Sequence, residues 1–260
     1  MVKFKKENKE NKFKFLEKRK YLDPFYYVDT FIMPKIKEKT DSKLVENLVN
    51  VLFAAMFALV IYFLLSLTFG SSSPLVIVYS ASMEPFMVRG DVIGLLGIND
   101  NVALGKEINL NENIKNIPVE KYLTIEKNNV LISKIIFKDG QEVYLEKNGS
   151  VIVYPSYPNK LPIIHRSIVK INANDGVFVL TKGDNYFTNP TIDQDCGTID
   201  LLRNSSSKNC ITFFAIPIDE IQGVAFFNIP KVGCVKLWLF DDLFSLISTG
   251  RLPRDFRGIC

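Results

Sequence analysis

A mainly β domain carried on a single N-terminal membrane-spanning helix is the architecture that this 260-residue sequence predicts, and three observations predict it. Residues Val51 to Phe69 form an uncharged, almost wholly apolar run. At about 1.5 Å rise per residue the run approaches the roughly 30 Å thickness of a bilayer's hydrocarbon core, and Leu48, Val49 and Asn50 can extend it. Beyond it, short segments rich in β-branched residues alternate with Asn, Asp, Gly and Pro punctuation, the pattern of strands joined by turns. Helical periodicity stays weak until the last thirty or so residues. The hydrophobic fraction of 47% is ample for a buried core, and the length fits one or two domains.

Taken in order, residues 1–47 form a basic arm. Through Lys43 it holds thirteen Lys/Arg against seven Asp/Glu, a net +6 in a chain whose total is +4, so the remainder is slightly acidic. Residues 48–69 are the expected span. It has no polar face, unlike a surface helix of a soluble protein. The long arm before it is unlike the short n-region of a cleaved signal peptide, although Ser71-Ser72-Ser73 would suit a cleavage site. Positive charge concentrated before the span places the arm in the cytoplasm and residues 70–260 outside it. The arm interleaves lysines with glutamates beside a span, which points to lipid headgroups rather than nucleic acid.

In the extracytoplasmic part, strands are expected over Val130 to Phe137, Val151 to Tyr154, Ile163 to Ile171, Val177 to Thr181 and Ile211 to Ile216, with tight turns at Asp139-Gly140 and Asp175-Gly176. Asparagine-rich stretches Asn99 to Asn116 and Asn204 to Asn209 read as loops, and Val235 to Ser248 as one amphipathic helix. The four cysteines, at 196, 210, 234 and 260, include no CxxC pair, and one histidine cannot complete a zinc site with them. Cys196 and Cys210 bracket a polar loop that a disulfide could close, with two buried thiols as the alternative.

Three segments carry chemistry. Val78-Tyr79-Ser80-Ala81-Ser82-Met83-Glu84-Pro85, followed by Arg89-Gly90-Asp91-Val92-Ile93, reads as a strand ending in a turn. On a strand, residues two apart face one way, so Ser80 and Ser82 would present both hydroxyls to one side, one to attack and one to hold an oxyanion. A solvated strand edge is the plainer reading of two serines. His165, the only histidine, lies in Leu161-Pro162-Ile163-Ile164-His165-Arg166 on an expected strand. If Ser82 is a nucleophile, an imidazole that titrates near neutrality is the base at hand. Leu180-Thr181-Lys182-Gly183-Asp184-Asn185, leading to Pro190-Thr191-Ile192-Asp193-Gln194-Asp195, supplies aspartates that can hold an imidazole's tautomer.

Together, SASMEP, RGDVI, VIVYP followed by PIIHR, LTKGDN and an aspartate after proline, all behind a membrane anchor, resemble signal peptidase I in its archaeal and endoplasmic-reticulum branch. The later IPIDEIQGVAFFNIPKVG is similar to the segment that closes that family's core. The resemblance covers about residues 74–94, 150–195 and 216–235. It implies a β catalytic domain against the membrane, with Ser82 as nucleophile, Ser80 in the oxyanion hole and His165 as general base. The bacterial branch has lysine where this chain has His165. Asp193 would orient the histidine, with Asp184 required structurally or sharing the role, and Asp195 a further candidate. The activity implied is removal of N-terminal signal peptides from secreted precursors by a single-pass enzyme of the cell membrane. Its implied partners are those precursors, the lipid bilayer and the protein-translocation machinery, and it uses no metal or organic cofactor. Residues of about 97–149 form an insert that matches nothing in the family. A non-catalytic single-pass binding or scaffold domain, or a serine protease with narrower substrates, would share the anchor and the strands.

Overall fold

A computed structural model describes residues 21, 23–40, 42–99, 102–196, 210–251 and 260. The chain divides into two compact units, Met1–Leu65 and Ser66–Cys260. In the first, a short helical stretch runs through Pro24–Tyr27, Val28–Ile32 and Met33–Lys37. The Asp23 carboxylate caps its start by accepting from the Phe25 N–H at 2.9 Å, and Pro24 takes the first-turn position where a missing N–H costs nothing.

The long helix, Lys43–Phe69, spans 27 residues and begins five residues before the expected 48. Ser42 O accepts from the N–H groups of Val45 and Glu46, and Glu46 places negative charge at the helix's positive end. The helix is long and apolar enough to cross a membrane, and none of its apolar stretch is buried in the protein. It stops where Gly70 turns to a φ of +60°, the left-handed conformation that glycine adopts without a Cβ penalty.

The second unit is mainly β, as expected. Its eleven described strands are β1 (Leu75–Ile77), β2 (Val92–Leu96), β3 (Lys106–Asn109), β4 (Leu123–Asn128), β5 (Leu131–Phe137), β6 (Glu142–Tyr144), β7 (Val151–Pro155), β8 (Pro162–Ala173), β9 (Gly176–Lys182), β10 (Ile216–Pro217) and β11 (Gly223–Ile229). Eight form one sheet in the order β1-β2-β11-β7-β8-β9-β10, with β3 added alongside the far half of β8, while β4-β5-β6 form a second sheet. All pairings are antiparallel except β3 with β8. The turns at Asp139-Gly140 and Asp175-Gly176 join β5 to β6 and β8 to β9.

Several expectations change. The stretch Asn99 to Asn116, read as loop, contains β3; its single buried residue, Ile108, gives too little alternation to betray a strand. The unmatched insert is part of the core. Ile108, Tyr122, Leu123, Ile135 and Phe137 pack in one cluster with Ile168, Ile171, Phe178 and Leu180 of β8 and β9. Of Ile211 to Ile216 only Ile216 lies in a strand, because the N–H groups of Ile211 and Thr212 go to the Asp193 carbonyl instead of a ladder. The C-terminal segment is helical from Cys234 to Thr249, but Leu237–Leu243 is wound as a π-helix between two α-turns. It is not cleanly amphipathic: Val235, Phe240, Phe244 and Ile247 are exposed, and among its side chains whose burial is described only Cys234 and Leu237 are buried. Disulfides join Cys196 to Cys210 and Cys234 to Cys260. The expected loop Asn204 to Asn209 lies outside the described residues.

Candidate active site

β7, β8 and β9 run side by side, and their register decides what meets His165. Ile152 lies opposite His165, and Ser167 opposite Thr181. Side chains two apart share a face, so Tyr154, His165 and Thr181 stand together on one side of three adjacent strands. The chain leaving β9 returns Asp193 to this face, its N–H held by the Thr181 carbonyl at 2.9 Å.

The result is a buried hydrogen-bonded row. His165 Nδ1 lies 2.7 Å from Asp193 Oδ2. The Tyr154 hydroxyl donates to the same oxygen at 2.7 Å and accepts from Thr181 Oγ1 at 3.1 Å. Gln194 Nε2 donates to Thr181 Oγ1 at 3.3 Å, and Gln194 Oε1 accepts from the Thr181 N–H. Tyr154, Thr181 and Gln194 are 0% exposed, Asp193 1% and His165 2%. Burial by itself would raise the Asp193 pKa, but the facing imidazole and the hydrogen bonds from His165, Thr181 and Tyr154 outweigh it and hold the carboxyl below its ordinary value. Burial, then the Asp193 charge, pushes the Tyr154 phenol well above its ordinary value, so it stays a neutral donor.

The serine segment is built differently. β1 ends at Ile77, and Ser80 and Ser82 sit in a turn rather than on a strand, which corrects the alternation argument. The loop's base is clamped by Val78 N–H to Asp91 O (2.9 Å) and Gly90 N–H to Val78 O (2.8 Å), and its tip curls through Met87 N–H to Met83 O at 3.0 Å. The two hydroxyls still meet, with Ser80 Oγ 3.1 Å from Ser82 Oγ. Asp91, buried, accepts from the N–H groups of Val88 and Lys231 and from Asn228 Nδ2, tying the loop to the end of β11. Met83 packs with Val151, Val153 and Ile164, out of phase with His165 on the same strands.

The residues after β9 link both halves. Asn185 N–H donates to Ser82 O and Asn185 Nδ2 to Ala81 O, each at 2.9 Å. Gly183 permits this approach: a Cβ there would lie 2.7 Å from Ser82 O. Ser82 and His165 make no hydrogen bond with each other among the described residues; the serine's hydroxyl partner is Ser80. Asp184 stands apart from the histidine. It takes the Arg166 guanidinium in a fork, 2.9 Å from Nε and 2.7 Å from NH2, and so does not share the orienting of His165. Asp195 is likewise elsewhere, accepting from Thr191 Oγ1 at 2.6 Å and pairing with Lys127. Arg166 NH1 also donates to Gly149 O at 2.8 Å. Lys182, buried, donates to Gly183 O at 2.7 Å; burial lowers its pKa, Asp193 opposes that, and Lys147 adds to it.

Sequence reasoning assigned no role to Tyr154, Thr181, Gln194 or Arg166. The signal for Tyr154 was present, since a tyrosine inside an apolar strand needs a hydroxyl partner. Among the described residues no group of three or more His, Cys, Asp or Glu converges as a metal site.

A curated protein named signal peptidase complex catalytic subunit SEC11, from Clavispora lusitaniae, is 24% identical over 198 residues, covering 76% of this chain and 84% of that protein. The chain resembles signal peptidase I of the endoplasmic-reticulum type. The protein of the same name from Saccharomyces cerevisiae is 25% identical over 201 residues, 77% of this chain and 86% of its own length. No family model matches the chain. The likeness to these signal peptidase subunits spans most of the chain, so it is wider than the short motifs that first suggested it.

Proposed function

We propose that this protein is a membrane-bound serine endopeptidase of the signal peptidase type, which removes N-terminal signal peptides from secreted precursors. The observation that carries the reading is the buried His165–Asp193 pair at 2.7 Å, held on the same three-strand platform whose exit segment grips the Ser80/Ser82 turn. A buried carboxylate on Nδ1 fixes the tautomer that leaves Nε2 free to take a proton. In the reaction, Ser82 Oγ exchanges its Ser80 partner for His165 Nε2, gives up its proton and attacks the scissile carbonyl. The carbonyl oxygen takes the negative charge, and the Ser80 hydroxyl donates to it. The imidazolium, stabilised by Asp193, protonates the leaving amine. Water, deprotonated by the same imidazole, then attacks the acyl carbonyl, and the imidazolium returns that proton to Ser82 Oγ as the acyl group leaves as the carboxylic acid.

The extended precursor binds by main-chain pairing along the strand that leads into the serine turn. The long helix anchors the enzyme where the substrate's own apolar segment lies, with the basic arm on the cytoplasmic side and the β unit outside. The relatives are named as subunits of a complex, and association with further subunits or with translocation machinery is part of this proposal.

One observation favours a second base. Lys182 is buried, its pKa is lowered, and it adjoins Gly183, which touches Ser82 O. Its ammonium is already given to Gly183 O and lies 5.1 Å from the Tyr186 ring centroid, whereas His165 has a carboxylate behind it. Full-length protein in detergent, assayed on a model precursor beside Ser82→Ala, His165→Ala and Lys182→Met, decides between them. The expected result is cleavage by wild type and by Lys182→Met and none by the other two. Activity that survives His165→Ala but not Lys182→Met would transfer the base to the lysine.

A further inference from the structure

We propose that Tyr154 is a positioning residue for the histidine–aspartate pair, fixing the Asp193 carboxylate from behind and so setting the charge that faces His165. Its role in cleavage rests on the function proposed above. Asp193 Oδ1 is buried and has no hydrogen-bond partner among the described residues, so the short side-chain hydrogen bonds of this carboxylate fall on Oδ2. Two donors share that oxygen, the imidazole and the phenol. Without the phenol, the imidazole being oriented and the Thr181 hydroxyl, which also acts on this carboxylate, would remain to hold it.

The row runs one way. Gln194 donates to Thr181, Thr181 to Tyr154, and Tyr154 to Asp193, so the phenol proton is committed to the carboxylate. A hydroxyl that draws charge from Oδ2 weakens the hold of Asp193 on the imidazolium; removing it concentrates charge opposite the ring. The other ionic groups nearby are constant between the variants compared. Lys182 is close enough to interact with Asp193, and the Arg166–Asp184 pair is satisfied internally.

Tyr154→Phe deletes one oxygen and keeps the ring in its packing. His165 is the only histidine, so full-length protein labelled with 15N-histidine in detergent gives one imidazole to titrate by NMR. Placing the comparison also in a Ser82→Ala background makes this readout independent of cleavage. Tyr154→Phe is expected to move the His165 titration to higher pH and to shift the acid limb of kcat/KM with it. It should lower kcat at neutral pH by roughly 10- to 100-fold with KM little changed, as for loss of a hydrogen bond to a charged group. Thr181→Val should act in the same direction more weakly, and Thr181→Ser should restore wild-type behaviour. A well-folded Tyr154→Phe with unchanged titration and kcat would overturn the proposal, as would a lower melting temperature alone. If the titration moves while even wild type cleaves no precursor, Tyr154 still positions the pair and the protease reading is what fails.

Discussion

The histidine end of the site and the serine turn are held by opposite means. Around His165, side chains from three neighbouring strands close on one another in a row shut off from water, and the bonds that fix geometry are between side chains. Around Ser82, the fixing bonds are made by main chain and by Asp91 and Asn185, while Ser80 is exposed and Ser82 half-buried. A low-dielectric surround strengthens the Asp193–His165 interaction, and no solvent has to reorganise when the imidazole charges. A nucleophile must instead stay reachable by a polypeptide, so its anchors are placed behind it. The contrast separates changes that should alter chemistry from those that should alter placement.

The sharpest break of that contrast is loss of either reacting group. Ser82→Ala, His165→Ala and the double variant should each lower kcat/KM by about 10⁴-fold or more without adding to one another, because groups that act as a unit fail as a unit. Additive losses in a precursor-cleavage assay would mean that the two act separately. Next comes the pair of aspartates. Asp193→Asn should fold normally and lose about 10³- to 10⁴-fold in turnover, since an amide no longer fixes the tautomer or balances the imidazolium. Asp184→Asn should act mainly on stability, costing about 3 kcal/mol, because it strands a guanidinium only 11% exposed. Cleavage rates beside thermal melts separate the two, and an inactive Asp184→Asn with a normal melt would contradict the division of labour drawn here.

Gly183→Ala tests placement alone. Its Cβ would meet Ser82 O at 2.7 Å and the Asn189 side chain as closely, so the turn must shift. A loss of about 1–3 kcal/mol is expected, along with reduced cleavage while the His165 NMR titration stays unchanged. The smallest effect concerns acid. Asp193 ionises below the ordinary carboxyl value of 3.8 once folded, so its stabilisation is complete above that pH and is lost as pH falls through the folded value. Melting temperatures should therefore drop less steeply below about pH 4 in Asp193→Asn than in wild type. Parallel curves would show that Asp193 titrates alike in both states.

Much of this was legible locally. The uncharged run to Phe69, the Asp-Gly turns and the β-branched segments around His165 need only nearest-neighbour chemistry, and they fold as expected. β3 was missed because its partner, β8, lies 63 residues further along the chain and only Ile108 of its four residues is buried. The insert could not be matched by motif, yet its Ile, Leu and Phe residues complete the core over β8 and β9, a role set by volume rather than by pattern.

The sequence by itself determined the ingredients: one apolar span, a mainly β remainder, a serine pair and a single imidazole with aspartates downstream. Hydrophobic period and side-chain chemistry are properties of the chain and survive without a fold. Which aspartate meets the imidazole was decided only in three dimensions. Asp184 and Asp193 lie in one short stretch, but β8–β9 register sends Arg166 and Lys182 to one face and His165 and Thr181 to the other. Asp184 follows the first face to a guanidinium and Asp193 returns to the second. Tyr154 joins them for the same reason: a strand alternates every residue, so a slip of one place in the pairing of β7 with β8 would have turned its hydroxyl away.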